Sequence, residues 1–209
     1  MHAVDIKQHP EQEPEQWRDA SFTQELEMLQ KNIELLVAQA TNIISGDWDW
    51  MHEENHNMAR LNKQLLQEKQ EAANLKDHHR VALLEKRLRE SRRTNIGPRL
   101  EKIRTTNGDG STDEKYRPIW QAYPYSPKRT NSIAGKTIGV RIKMTNNHEY
   151  RLSTLGTASA SWDYPKIIET EKLLMPIREK LSALHKAKVE LRKCKRRVVR
   201  ITKKYQQES

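Results

Sequence analysis

The chain has 209 residues, of which 35% are hydrophobic and 32% are charged, with one Phe and seven Gly. This composition argues against one large compact core, whereas helical rods with narrow apolar seams need less apolar material. The single cysteine, Cys194, excludes an internal disulfide and a zinc site built from several cysteines.

The net charge of +10 is unevenly distributed along the chain. Residues 1–20 carry five acidic and two basic side chains, whereas residues 166–209 carry fourteen Lys and Arg and five Glu. This asymmetry predicts an anionic partner, which can be nucleic acid, an acidic protein surface or an anionic membrane. Because no apolar run resembles a signal peptide or a membrane span, we expect a nuclear or cytoplasmic protein that is not secreted.

The first helical pattern follows residues 1–20, which are polar, contain two prolines and are predicted to be a disordered acidic tail. Ser21 can cap a helix whose apolar residues then recur with alternating spacings of four and three. Ser45 and Gly46 indicate the end of this helix, because glycine favours the left-handed conformation of a C-cap.

A second heptad pattern begins after Gly46 and extends toward Arg93, so residues 21–93 are predicted to form a helical hairpin or coiled coil. A hairpin can cover only part of the longer second helix, so the rest needs another partner, either the C-terminal helix or a second copy of the chain. The heptads predict self-association or pairing with another coiled-coil subunit. The candidate oligomerisation residues are Phe22, Leu26, Leu29, Ile33, Leu36, Ala40, Ile43, Met58, Leu61 and Leu65.

Residues 94–114 contain Gly97-Pro98 and the stretch TTNGDGSTDE, and they are predicted to be a linker. Residues 115–165 are rich in aromatic residues and are predicted to be a small β-hairpin module. Its first strand is predicted from the alternation over 137–144, and its second from Tyr150, Leu152 and Thr154. A third strand near 118–123 or a helix of the rod could complete the packing, with the aromatic residues as the core.

Residues 166–209 are predicted to form a basic C-terminal helix, in which Pro176 interrupts or starts the main segment. The apolar face is expected to end near Leu191, because Lys188 and Lys195 fall inside the seam. Dense charge of one sign costs self-repulsion unless an anion relieves it, so we expect contacts with phosphates rather than with bases. The candidate residues are Lys186, Lys188, Arg192, Lys193, Lys195, Arg196, Arg197, Arg200, Lys203 and Lys204, with Arg92 and Arg93 from a smaller basic set.

The stretch from His52 to His56, HEENH, matches the H-E-x-x-H pattern of zinc metallohydrolases. Catalytic zinc needs a third protein ligand and a shielded cavity, whereas this stretch is strongly polar. We therefore interpret the match as a coincidence and expect no metal, no cofactor and no catalytic residues.

The sequence thus predicts a mainly α protein with heptad-patterned long helices or a coiled coil, a small β-hairpin insertion and a basic C-terminal helix. The favoured function is a non-catalytic, oligomeric nucleic-acid-binding structural or regulatory protein of the chromatin, RNA–protein-particle or viral accessory type. It would bind RNA or DNA without sequence specificity. One alternative is a coiled-coil adaptor of a larger assembly, of kinetochore or cytoskeletal type, whose basic end binds an acidic protein surface. A zinc hydrolase at His52, Glu53 and His56 is a remote alternative.

Overall fold

The computed structural model describes residues 13–92, 95–106, 110, 112–123, 139–146 and 148–207, with side chains from residue 20 onward. The elements in chain order are α1 (Glu13–Asn74), α2 (His78–Glu90), β1 (Ile96–Thr106), β2 (Thr112–Ala122), β3 (Val140–Arg141), α3 (Leu152–Ala158) and α4 (Tyr164–Gln207). The predicted fold class is confirmed, because long helices dominate and the sheet is small. No helix among these residues is long and apolar enough to cross a membrane.

Helix α1 is one continuous helix of 62 residues, so the predicted helix end at Ser45-Gly46 is wrong. The seam runs straight through this point, where Ile44, Asp47 and Met51 are all buried at spacings of three and four. A glycine inside a helix costs only about 1 kcal/mol, which continuous burial of the seam can offset.

The N-terminal tail is also partly helical, since α1 begins at Glu13. The prediction of disorder is therefore wrong for residues 13–20, and residues 1–12 lie outside the described part of the chain. Pro14 is compatible with this start, because proline is tolerated in the first turn of a helix.

The turn of the helical hairpin lies at residues 75–77, where Lys76 adopts a positive φ of 57°. The side chain of Asp77 caps α2 by accepting a hydrogen bond from the backbone N–H of Arg80 at 3.0 Å. Leu65 and Ala72 of α1 then pack against Leu84 of α2 in a small apolar cluster. Helix α2 therefore covers part of the apolar seam in the C-terminal half of α1.

The sheet has three antiparallel strands in the order β1-β2-β3. Strands β1 and β2 pair along their whole length, from Ile96 opposite Ala122 to Thr106 opposite Thr112. The predicted linker 94–114 is therefore wrong over most of its length, because residues 96–106 form strand β1 and residues 112–114 begin strand β2.

The predicted hairpin over 137–154 is wrong as well. Residues 137 and 138 lie outside the described residues, and the described strand β3 has two residues that pair with β2. Tyr150 is not in a strand, and Leu152 starts helix α3. Of the two packing partners considered, the strand near 118–123 is present, because residues 118–122 belong to β2, the central strand of the sheet.

The chain divides into two compact units by its internal contacts: unit 1 contains Met1–Leu35 and Ser182–Ser209, and unit 2 contains Leu36–Leu181. The core of unit 2 around the sheet consists of Ile96, Trp120, Ile142, Tyr150, Leu155 and Ile167. The aromatic residues Trp120 and Tyr150 are thus core residues, as predicted. In α4, Pro176 lies inside the helix instead of starting it.

Candidate nucleic-acid interface

The C-terminal half of α4 belongs to unit 1 and has one half-buried side and one exposed side. Half-buried positions recur at Lys188, Arg192, Lys195, Val198 and Thr202, with spacings of four and three. The half-buried side therefore continues beyond Leu191, where we expected the apolar face to end. The aliphatic stems of Lys and Arg can cover such a seam while the charged groups remain near water.

The exposed side of this helix carries what we call the outer basic stripe, formed by Lys193, Arg197, Arg200 and Lys204. Their spacings of four, three and four place them on one face of the helix, over a length of roughly 16 Å. Arg196, Lys203 and Lys186 are exposed as well. Of the ten candidate cations on α4, seven are exposed and three are half-buried.

One acidic residue, Glu190, lies within residues 182–207. The Nζ atom of Lys193 lies 2.8 Å from Glu190 Oε1, and the hydrogen bond and charge of this lysine hold the pKa of Glu190 below its usual value. A second contact joins the two helices of unit 1, because Lys188 Nζ donates to Gln30 Oε1 at 2.8 Å. Lys188 thus takes part in packing within unit 1, while the four side chains of the outer basic stripe are exposed.

The smaller basic set lies in unit 2. Arg92 is exposed after α2, and its carbonyl oxygen accepts a hydrogen bond from Trp162 Nε1 at 2.6 Å. Arg93 lies outside the described residues. The hydrogen bond from Trp162 therefore holds the backbone at Arg92 within unit 2, whereas the outer basic stripe belongs to unit 1.

The candidate oligomerisation residues are largely covered within the chain. Ile33, Ala40 and Leu65 are buried, and Leu61 is 39% exposed. The half-buried ones are Phe22, Leu26, Leu29, Leu36, Ile43 and Met58. Two other residues of unit 1, Met28 and Leu35, are 59% and 61% exposed. Self-association stays a prediction, and these two residues are its best remaining surface.

The HEENH residues lie on an exposed stretch of α1. His52, Glu53 and His56 are all exposed, and His56 Nδ1 lies 2.7 Å from the carbonyl oxygen of His52. Within the described residues, no group of three or more His, Cys, Asp or Glu side chains is placed to hold a metal ion.

Sequence reasoning missed a basic groove beside the sheet in unit 2. It has a volume of about 360 Å³ and is lined by Arg117, Arg141, Lys143, Met144, Thr145 and Asn146. The alternation that places Arg141 and Lys143 on one side of the strand was visible in the sequence. The sequence did not place Arg117 beside them, because its position in the sheet depends on the pairing of β2 with strands that are distant in sequence.

A buried polar cluster in unit 2 was also missed. Glu171 Oε2 accepts a hydrogen bond from Trp120 Nε1 at 2.7 Å, and Glu171 Oε1 pairs with Arg178 Nη2. The Nε atom of Arg178 donates to the carbonyl oxygen of His148 at 2.7 Å. Burial raises the pKa of Glu171, against the lowering effect of the Arg178 charge. This cluster fixes α4 to the sheet.

Comparison with known proteins gives one match. The model of the MobI family, described as MobI protein, matches residues 36–192. No curated protein and no solved structure matches the chain. The matched range contains the sheet and its basic groove and ends before Lys193, where the outer basic stripe begins. Since the match covers well over half of the 209 residues, the chain belongs to the MobI family.

Proposed function

We propose that this protein is a non-catalytic DNA-binding protein of a mobilisation system, which holds backbone phosphates on the outer basic stripe. The family is mobilisation-related, and mobilisation of a genetic element is a transfer of DNA, so duplex DNA is the preferred anionic partner. Self-association, predicted from the heptads, would place several stripes on one DNA molecule and increase the avidity.

The observation that carries the proposal is the arrangement of the stripe. Four cations lie on one exposed face over roughly 16 Å, and the one acid within 182–207 is paired with Lys193. A duplex carries one phosphate charge per about 1.7 Å of its axis, so a helix of this length can reach several phosphates. Contacts of this kind fix position and affinity and do not read sequence.

The test uses fluorescence anisotropy of a labelled duplex of about 30 base pairs, titrated with full-length protein over a range of salt concentrations. The variant is Arg197→Gln, Arg200→Gln and Lys204→Gln. The matched control is Arg60→Gln, Arg80→Gln and Lys63→Gln, which removes the same residue types from exposed positions of α1 and α2.

We expect the stripe variant to bind at least about tenfold more weakly and its salt slope to fall by up to about 3, since each phosphate contact contributes about 0.9. The control variant should bind like the wild-type protein. Equal loss in both variants would mean that net charge alone matters, and unchanged binding in the stripe variant would refute the assignment. Tighter binding to an RNA of the same sequence would identify RNA, instead of DNA, as the partner.

The adaptor alternative is supported by the exposure of Met28 and Leu35, which lie seven residues apart on α1. Exposed apolar residues at heptad spacing can pair with another helix. If they mediate self-association, Met28→Glu with Leu35→Glu should lower the molar mass measured by light scattering. A protein that is monomeric before and after this change would exclude self-association through the two side chains and favour pairing with a different subunit.

A further inference from the structure

The basic groove of unit 2 is built from strands that are distant in sequence. Glu101 of β1 and Arg117 of β2 are direct neighbours in the register and therefore lie on the same face of the sheet. Arg141 of β3 pairs with Gln121, whose side chain is on that same face because it lies four residues from Arg117 along β2. Lys143 then completes the lining.

Glu101 organises two of the three cations. Its Oε2 lies 3.1 Å from Arg117 Nη2, and its Oε1 lies 3.2 Å from Arg141 Nη1. One carboxylate thus holds two guanidinium groups, and Lys143 is a third cation of the lining. In addition, the buried Nε of Arg117 has no hydrogen-bond partner within the described residues. The groove retains positive charge and donor capacity that an anion can use.

The remaining wall is polar and includes Thr145 and Asn146. Asn146 Oδ1 accepts hydrogen bonds from the backbone N–H groups of His148 and Glu149, at 3.2 and 2.9 Å. The backbone N–H of Thr145 donates to the carbonyl oxygen of Glu149 at 3.0 Å. The exposed side chains of Thr145 and Asn146 therefore stand beside the cations, and these hydrogen bonds restrain both residues, which reduces the entropy cost of binding.

We propose that this groove is a second phosphate-binding site for the DNA backbone, formed by Arg117, Arg141 and Lys143. The inference rests on the proposed function, because the identity of the anion as a DNA phosphodiester comes from there. Arginine and lysine together match the charge and geometry of a phosphate. Within the described residues the groove opens to solvent, so a phosphate of a polymer backbone can reach it.

The test compares two faces of the same sheet. The groove variant is Arg141→Gln with Lys143→Gln. The matched control is Lys102→Gln with Arg104→Gln, which removes the same residue types from the opposite face, where both side chains contact Glu114. Arg117 is left intact because its half-buried side chain takes part in the packing of the sheet. Circular dichroism and thermal unfolding verify that both proteins are folded.

With the labelled duplex, we expect the groove variant to bind about tenfold more weakly, with a salt slope reduced by about 2, while the control binds like the wild type. Equal binding by the groove variant and the control would overturn the proposal. Failure of the stripe assignment gives a different result: the stripe variant then binds the duplex normally and the groove variant alone loses affinity. If the stripe variant loses affinity and the groove variant does not, only the groove assignment fails.

Discussion

At the scale of single residues, the pair of Glu171 and Arg178 is the most consequential feature. Both side chains are buried, and they lie seven residues apart on α4. Each is also bound to a different part of the fold: Glu171 to Trp120 on β2, and Arg178 to the backbone of His148. The guanidinium group lies 5.1 Å from the centre of the Tyr150 ring, which adds a cation–π contact.

Replacing one member of this pair should be costly. Arg178→Met leaves the Glu171 carboxylate buried without its counter-charge, and breaking a buried pair in this way costs about 3–5 kcal/mol. We expect urea unfolding at neutral pH to show this loss, whereas Lys180→Met, two residues further on the exposed side of α4, should change the free energy of unfolding by less than about 0.5 kcal/mol.

The pH dependence of the same variant gives an independent control. Burial raises the pKa of Glu171 and the Arg178 charge lowers it, so loss of the arginine raises the pKa further. A carboxyl group with a raised pKa favours folding below its unfolded pKa, and this contribution is lost as the pH rises through the folded value. The loss of unfolding free energy caused by Arg178→Met should therefore shrink at about pH 4. A deficit independent of pH, or no recovery in Arg178→Met with Glu171→Gln, would contradict this explanation.

At the scale of elements, the sequence predicted what is periodic and local. The seam of α1 and the helix α4 were recognised from spacings of three and four. The strand β1 was missed because Gly97-Pro98 and the glycine-rich stretch near residue 108 look like a linker, whereas the strand is defined by its pairing with β2. Composition contains no information about such a register.

The candidate sites divide in the same way. The outer basic stripe could be predicted because its cations follow one another along a single helix. The basic groove could not, because Arg117, Arg141 and Glu101 meet only through the pairing of three strands. The Glu171–Arg178 pair has a helical spacing, but its burial depends on Trp120, which lies 51 residues from Glu171.

Alanine substitutions at two glycines, one in α1 and one in β1, should change the stability of the protein in opposite directions. A Cβ at Gly46 meets no atom within 4 Å, and the residue lies inside α1, so Gly46→Ala should stabilise the protein by up to about 1 kcal/mol. A Cβ at Gly97 would lie 2.7 Å from Trp48 Cζ2 and 2.8 Å from Cη2. We expect Gly97→Ala to destabilise by about 1–3 kcal/mol, because the indole is held by its hydrogen bond to Pro98 O. The measurement is urea unfolding, and a destabilising Gly46→Ala would show that the glycine is needed for a bend.

At the scale of the whole molecule, the two units differ in what holds them together. Unit 2 has a sheet, two apolar clusters and the buried polar pair. Unit 1 has one fully buried apolar side chain among those described, Ile33, next to half-buried residues and cations. Since stability depends on buried apolar area, unit 1 should be the less stable one.

Native-state hydrogen exchange can measure this difference. We expect amides of residues 20–35 and 182–207 to exchange faster than those of strands β1 and β2 between residues 96–100 and 118–122. Ile33→Ala should cost about 2–5 kcal/mol and accelerate exchange in unit 1 alone, because this buried residue belongs to that unit. Leu155→Ala, a matched loss of a fully buried side chain in unit 2, should accelerate exchange around the sheet. If either substitution accelerates exchange equally in both units, the two open as one cooperative structure.

DNA bound at the outer basic stripe should protect the amides of residues 182–207 from exchange in the wild-type protein, because binding to the folded form stabilises it.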